Sequence, residues 1–455
     1  MKKFQSINPF NNELINEFEI FDDARIEKSL VQAENAFLNW RNTTFQFRSD
    51  LFTNLAATLR KNKEKYAHNI SLEMGKTIKE STAEVEKCAV CCAFYAEHGE
   101  QFLKNEIIQD ETEIKSLVAF DPIGAVFAVM PWNFPFWQVI RFAAPSLMAG
   151  NVGLLKHAKN VTQCALHLEE AFLEAGFPEH VFQSLIIPSS QSEKIIRHQI
   201  VQGVTLTGSE GAGSSVASLA GKHIKKSVLE LGGSDPFIIL EDADIHLAAK
   251  IASQSRMQNA GQSCIAAKRF IVEEKIKNDF LEAFKNEIEK IKQGDQLNTD
   301  NNMGPVSSLS SAEEIERQVN ISMQKGAALI TGLKRNGANV QPSLIANVQP
   351  GMPAFDEEIF GPVAAVITAK NAEDAIAIAN GHRYGLASTL FTKDLDKAYH
   401  LARNINAGAV FINSMVKSDP KYPFGGVKKS GYGRELSYYG MKEFVNVKTI
   451  VMEKL

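Results

Sequence analysis

From Val126 onward the chain alternates short apolar runs with longer helix-like ones, a rhythm that few folds accommodate. "AVFAVM" is followed by "RFAAPSLMAG" and "NVGLLKH" by "VTQCALHLEEAFLEAG", while "VFQSLII" and "VQGVTLTG" carry the pattern into another helix. Strands separated by helices predict a parallel sheet with helices on its faces, because a parallel neighbour is reached only by a crossover. A second alternation begins near "SVLELGGSDPFIILEDAD" and continues through "LEAFKNEIEKIKQG", "GPVAAVITAK", "AEDAIAIANG", "LASTLFT" and "LDKAYHLARNIN". No clean repeat or low-complexity linker divides the two sections, so the chain reads as two α/β lobes sharing a rigid cleft.

What precedes this alternation differs. "ARIEKSLVQAENAFLNW", "RSDLFTNLAATLRKNKEKYAHNISLEMG" and "STAEVEKCAVCCAFYAEHGEQFL" repeat apolar residues at three and four positions and predict helices. "IIQDETEIKSLVAFDPIG" turns to short β-rich runs and predicts a projecting hairpin. At 455 residues the chain has length for two or three domains. A formal charge of -4 gives no reason to expect a nucleic-acid partner. No apolar stretch is long enough for a membrane helix, and the opening "MKKFQSINPFNNE" lacks a signal-peptide core, so a cytoplasmic protein without a membrane partner is expected. Cys88, Cys91, Cys92, Cys164 and Cys264 show no paired metal-ligand spacing. No metal site is expected, and "CAVCC" reads as helix packing.

Two local patterns point to chemistry. "NAGQSCIAAK" sets Cys264 among small and polar residues after a helix-like run. A lone cysteine reads first as a buried packing thiol, so its neighbours must decide. "TGSEGAG" follows a strand candidate and opens a helix, where backbone N–H groups can receive a pyrophosphate. Gly208, Ser209 and Gly213 carry that reading, although the spacing is not the ordinary dinucleotide fingerprint.

"MPWNFP", "TLTGSEGAG", "LELGG", "GQSC", "EEIFGPV" and "PFGGVKKSGYGRE" occur together and in order across nearly the whole chain. In this combination the chain resembles the aldehyde dehydrogenase superfamily. The resemblance implies an α/β aldehyde dehydrogenase fold with three parts. These are a Rossmann-like cofactor-binding domain (residues 1–105 and 124–230), an α/β catalytic domain (231–430), and small strand-rich oligomerisation and bridging elements (106–123 and 431–455). It also implies that Cys264 is the nucleophile and Asn133 an oxyanion donor. Carboxylate roles fall to Glu230 or Glu358, with Glu230 preferred as the general base for deacylation. The chemistry needs such a set: thiolate attack supplies the fourth substituent that lets an aldehyde carbon release hydride, and the resulting thioester is open to water. Cofactor contacts implied by the same resemblance are Trp132, Lys156, Leu231, Glu358 and Phe360, beside the "TGSEGAG" residues. In "KHAKN", Lys159 stands where many NAD-preferring relatives have a glutamate, which tilts the expectation from NAD towards NADP and its 2'-phosphate.

The pattern is similar to compact bacterial-type succinate-semialdehyde dehydrogenases, which implies a small carboxylated aldehyde, succinate semialdehyde first and glutarate semialdehyde or a broad range as alternatives. Arg141 matches an arginine that holds the distant carboxylate in such enzymes, and its other reading is an interdomain salt bridge. Ser414 and Lys417 lie in the cleft segment and are further candidates for that carboxylate. Gln258 replaces an arginine often found six positions before the cysteine, with Arg256 two residues away. Ala266 replaces a second cysteine that some relatives carry as a redox partner. An acyl reductase and a noncatalytic metabolite-binding protein are the competing functions. The strand-rich excursion and the terminal "FVNVKTIVMEKL" imply a homodimer or homotetramer.

Overall fold

The computed structural model describes residues 3–454. Two sheets carry the two alternations. In the first the order is Gly431–Tyr432, Lys226–Glu230, Val201–Thr207, Ala125–Met130, Val152–His157 and Phe182–Ser184, parallel throughout except at the Gly431–Tyr432 edge. The chain leaves Ala125–Met130 outward to Phe182–Ser184, then returns to the opposite side of its starting strand. Strand order therefore reverses between Ala125–Met130 and Val201–Thr207. In open α/β sheets such a reversal opens a crevice beyond the carboxyl ends of the strands, where ligands bind.

The second sheet runs Ala328–Thr331, Ser343–Ala346, Val363–Ala369, Ala267–Glu273, Asp235–Ile239, Ala387–Phe391 and Ala409–Ile412, with only Ala328–Thr331 antiparallel. Every residue of Asp235–Ile239 and Ala267–Glu273 is buried, as expected of parallel strands covered on both faces. A third sheet joins Glu106–Asp110, Ile114–Pro122 and Val445–Glu453 in antiparallel order. The expected hairpin is thus extended by the terminal strand. Val447, Ile450, Val451 and Met452 remain exposed there, beside Ile107 and Ile108.

The helical beginning is Asp23–Trp40, Phe45–Lys61, Lys63–Met74 and Ile78–Phe102. The run read as one helix from Arg48 to Gly75 breaks at Asn62, whose side chain donates to Thr58 O (3.2 Å) and Glu174 (2.9 Å) instead of leaving the turn alone. The Ile78–Phe102 helix starts on a capping box between Thr77 and Glu80. It buries Cys88, Cys91 and Cys92 completely, and burial pushes all three thiols up, so they are packing groups. The Lys3–Ile7 and Leu14–Glu19 hairpin was not anticipated, because its strands are polar and mostly exposed and show no apolar alternation. Among the described residues no helix is long and apolar enough to cross a membrane, and no cluster of His, Cys, Asp and Glu is arranged to hold a metal ion.

Candidate active site

The strand-order reversal holds a cavity of about 280 Å3. Met130 and Thr207 end the two strands that flank the reversal, and the residues just beyond them, Pro131–Asn133 and Gly208–Ser209, line the cavity. Leu231, Gly232, Cys264, Glu358 and Phe360 close it from the second lobe. One space therefore gathers Cys264, Asn133, Trp132, Gly208, Ser209, Leu231, Glu358 and Phe360 from the sequence expectations. Trp132 and Phe360 meet edge to face, with ring centroids 5.9 Å apart.

Cys264 lies in the loop that enters the Ala267–Glu273 strand and is half-buried. That loop is constrained from several sides. Asn259 and Ala260 hold left-handed conformations (φ 53° and 51°), a cost that surrounding contacts must meet. The Arg256 guanidinium donates to Ala267 O (3.0 Å), Gly261 O (2.9 Å) and Ile359 O (3.1 Å), and also to Gly361 O. Lys268 Nζ donates to Ser263 O (2.8 Å) and Cys264 O (2.7 Å) and pairs with Glu358 at 3.1 Å. A Cβ on Gly233 would come within 2.8 Å of the backbone Cys264 O, so glycine is sterically required there, while one on Gly232 would meet the movable end of Glu358 at 2.5 Å. Burial pushes the Cys264 thiol up to about 11, Glu358 and Asp235 add to this, and Arg141 and Lys268 oppose it. At neutral pH the resting group is the thiol, and its proton must leave as the sulfur attacks.

Asn133 is buried and oriented at both ends of its amide. Nδ2 donates to Gln262 O at 3.0 Å, and Oδ1 accepts from Gln138 Nε2 at 2.9 Å. Because Oδ1 is held by a donor, the amide cannot flip, and the second N–H of Nδ2 stays available to an oxyanion. His157 supports the same loop: Nε2 donates to Pro135 O (2.9 Å) while Nδ1 accepts from Ala158 N–H (3.0 Å). Burial lowers this imidazole to about 4, so it is neutral. Glu84 receives the N–H groups of Phe136 and Trp137 (2.8 and 2.9 Å), fixing the start of the Trp137–Met148 helix with a negative charge at its positive end.

Other expected residues lie elsewhere. Glu230 ends its strand, is 2% exposed, does not line the cavity, and neither of its oxygens is hydrogen-bonded. Burial, then Glu435, hold its carboxyl well above the usual carboxylate range despite Arg141 and Arg434. Arg141 is also buried, paired with Glu435, donating to Thr207 Oγ1 at 3.2 Å and stacked on Phe424. Arg141, expected to receive a substrate carboxylate, meets the protein's own Glu435 through Nε and Thr207 through Nη2. Arg256 is likewise taken up by backbone carbonyls. Gly213 packs under Leu231, where a Cβ would lie 2.5 Å from Cδ2, so it shapes the helix contact and not the cavity wall. Lys156 is half-buried, with only His157 O near Nζ at 3.4 Å. Lys159 is exposed and lines a separate cleft of about 900 Å3 beside the N-terminal hairpin. Ser414 and Lys417 are exposed.

Several site residues went unread in the sequence. Lys268 is the last residue of "NAGQSCIAAK", but the burial that sets it apart shows only once the chain is folded. Asp235, lifted by burial to about 7, sits next to the double glycine of "LELGGSD". Gln138 and Glu84 act through contacts 5 and 52 residues apart in sequence that no local pattern announces.

The chain is similar to known proteins along nearly its whole length. Residues 1–450 match the aldehyde dehydrogenase family. A probable succinate-semialdehyde dehydrogenase (NADP(+)) of Synechocystis sp. is 45% identical over 98% of both chains. A succinate-semialdehyde dehydrogenase (NADP(+)) of Mycobacterium leprae is 44% identical, again over 98% of both. The crystal structure of succinic semialdehyde dehydrogenase from Streptococcus pyogenes in complex with NADP+ superimposes with a TM-score of 0.96 at 36% identity, covering 99% of this chain and all (100%) of that one. In sequence and fold, this chain belongs to the aldehyde dehydrogenase family.

Proposed function

We propose that this chain oxidises succinate semialdehyde to succinate with NADP+ as acceptor, through a thiohemiacetal and a thioester on Cys264. The single observation that carries this reading is the cavity at the strand reversal, which Cys264 lines together with Asn133, Gly208, Ser209, Glu358 and Phe360. The named activities of the relatives at 44–45% identity support the substrate and the cofactor.

The residues present fit a dinucleotide. The 13-residue Glu210–Lys222 helix opens at the cavity and is capped by Ser209, leaving backbone N–H groups of its first turn for phosphate oxygens. Lys156 is a half-buried cation with one weak partner, suited to ribose hydroxyls. Trp132, Leu231, Glu358 and Phe360 would enclose the nicotinamide end, and Lys159 would meet the 2'-phosphate. When bound, NADP+ supplies the hydride acceptor.

The steps follow from the side chains. The Cys264 thiol releases its proton to solvent as Sγ adds to the aldehyde carbon, and the C=O electron pair moves to the carbonyl oxygen, which becomes an oxyanion received by the free N–H of Asn133 and the backbone N–H of Cys264. Loss of hydride leaves a thioester. Water then attacks, and the thiol returns as the leaving group while the acid departs. The base for that water is Glu230 once its carboxyl swings away from Glu435 into the cavity, where hydration restores its ordinary acidity. The division of labour follows the two sheets, with residues 1–105 and 124–230 holding the cofactor and 231–430 the nucleophile. The exposed apolar residues on Val445–Glu453, with Ile107 and Ile108 on the opposite edge strand of the same sheet, support a homodimer or homotetramer built on that sheet. Five free cysteines suit a reducing, cytoplasmic setting.

The test is turnover of succinate semialdehyde, glutarate semialdehyde and butanal by purified protein with NADP+ and NAD+, using Cys264→Ala as blank. Cysteine-dependent oxidation that favours the four-carbon acid with NADP+ is expected. Equal turnover of butanal sinks the substrate, and preference for NAD+ sinks the cofactor assignment.

A further inference from the structure

Alternation along the Ala267–Glu273 strand sends Lys268 and Arg269 to opposite faces, and both are buried. Arg269 donates to Ser234 O at 2.9 Å and to Ile378 O and Ala379 O, last-turn carbonyls of the Ala372–Asn380 helix, an ordinary place for a cation. Lys268 is placed differently. Its Nζ donates to Ser263 O (2.8 Å) and Cys264 O (2.7 Å), the carbonyls on either side of the Cys264 α-carbon. Glu358 Oε1 lies 3.1 Å away as a charge partner without making a hydrogen bond. Burying an ammonium costs desolvation that these contacts must offset. A neutral donor would satisfy the carbonyls at lower cost, so the charge itself calls for an explanation.

Ser263 C=O and Cys264 N–H are the two ends of one planar peptide group and point in opposite directions. Ser263 O also accepts the Ala266 N–H (3.2 Å), so the plane of that peptide is held by two donors. The Cys264 N–H therefore points away from Lys268, which does not line the Cys264 cavity, and it has no partner among the described residues. A donor acting on one end of a peptide polarises the other, and an ammonium does so more strongly than a neutral group. The same charge acts on the sulfur. Burial lifts the Cys264 thiol, Arg141 of the Trp137–Met148 helix and Lys268 oppose that lift, and Glu358 and Asp235 add to it.

We propose that Lys268 is a positioning residue for the chemistry at Cys264, holding the Cys264 N–H out as a strengthened oxyanion donor and setting a positive charge behind the sulfur. The assignment rests on the reading of Cys264 as the nucleophile. The aldehyde adduct and the adduct of water with the thioester both place an oxyanion at this N–H, so both halves of the reaction draw on Lys268.

The experiment compares the full-length parent with Lys268→Met and Lys268→Gln, by alkylation of Cys264 with iodoacetamide across pH and by aldehyde turnover. Glutamine keeps an N–H for the carbonyls and loses only the charge, so it tests the charge where methionine fails to fold. Cys264→Ala is the blank for the four buried cysteines. With the thiol lifted to about 11, the thiolate is the minor form at lower pH. Loss of the Lys268 charge should slow alkylation at about pH 9 by roughly 3- to 10-fold in both variants. The kcat should fall by about 10- to 100-fold while KM for the aldehyde changes little. A Lys268→Gln protein that melts as the parent does and is alkylated at the parent's rate overturns the assignment, because the side chain then only caps carbonyls. So does a Lys268→Gln protein with the parent's kcat. If the parent oxidises no aldehyde, the functional reading fails by itself, and the alkylation series, which needs no substrate, still decides Lys268.

Discussion

On the Cys264 side of the cleft, Arg256 and Lys268 between them donate to six backbone carbonyls. Asn259 ties Asn133 O to Gln262 O at 2.8 and 3.1 Å. Across the cleft, at the strand ends of the first sheet, Lys156 reaches one carbonyl at 3.4 Å, Lys159 makes no ion pair among the described residues, and Ser209 caps only its own helix. The difference follows from what each wall has to do. Groups that stabilise a developing charge gain most when fixed beforehand, because they then need no reorganisation as the charge appears. A cofactor that arrives and leaves each turnover is better served by donors whose partners it brings. The two walls are read here as a preorganised wall and a receptive one.

The largest effect should come from breaking the preorganised wall at its anchor. Arg256→Met removes the donors to Gly261, Ile359, Gly361 and Ala267 while filling similar volume, leaving buried carbonyls unpaired. Burial already lowers this guanidinium to about 9, so removing its charge recovers part of a desolvation cost. The net loss should still be roughly 3 kcal/mol, read as a lower urea midpoint at unchanged slope, with oxidation activity falling alongside. A midpoint and activity like the parent's would mean that the loop holds Cys264 without Arg256. Next in size is Asn133→Ala, which removes a donor at the reacting oxygen and should cost about 2.7 to 4 kcal/mol in the transition state, a 100- to 1000-fold fall in kcat. Because Asn133 also holds Gln262, a matched loss of thermal stability would instead assign it to the wall's architecture.

The preorganised wall was the less legible of the two in the sequence. Cys264, Asn133 and Glu358 stand in runs that announced them, and "TGSEGAG" announced the helix that opens at the cleft. Both sheets followed from strand and helix alternation, because parallel buried strands must be apolar and their crossovers must be helical. Arg256 and Lys268 did not announce themselves. A buried cation among carbonyls looks like any surface lysine or arginine until the chain is folded, since its partners come from 4 to 105 residues away. Arg141 shows the same limit: its match to a substrate-binding arginine said nothing about Glu435, nearly three hundred residues later, which pairs with it. Asn62 marked a helix break only through its contact with Glu174, again a partner invisible to periodicity.

The smallest effect sharpens the receptive wall. Lys159 opens the short helical turn Lys159–Val161 after the Val152–His157 strand and is exposed, so changing it disturbs little else. Lys159→Glu replaces a donor for a 2'-phosphate with an acceptor for ribose hydroxyls, and reverses the sign of the charge that the phosphate meets. The ratio of kcat/KM with NADP+ to that with NAD+ should fall by roughly 10-fold, most of it in KM for NADP+, and the loss should shrink as salt screens the contact. The melting temperature should stay where it was, since an exposed side chain without a partner contributes little to folding. An unchanged ratio would mean that the phosphate is read elsewhere on this wall. Lys159 would then belong only to the cleft it shares with the N-terminal hairpin, where Phe4, Gln5 and Asn160 are its neighbours.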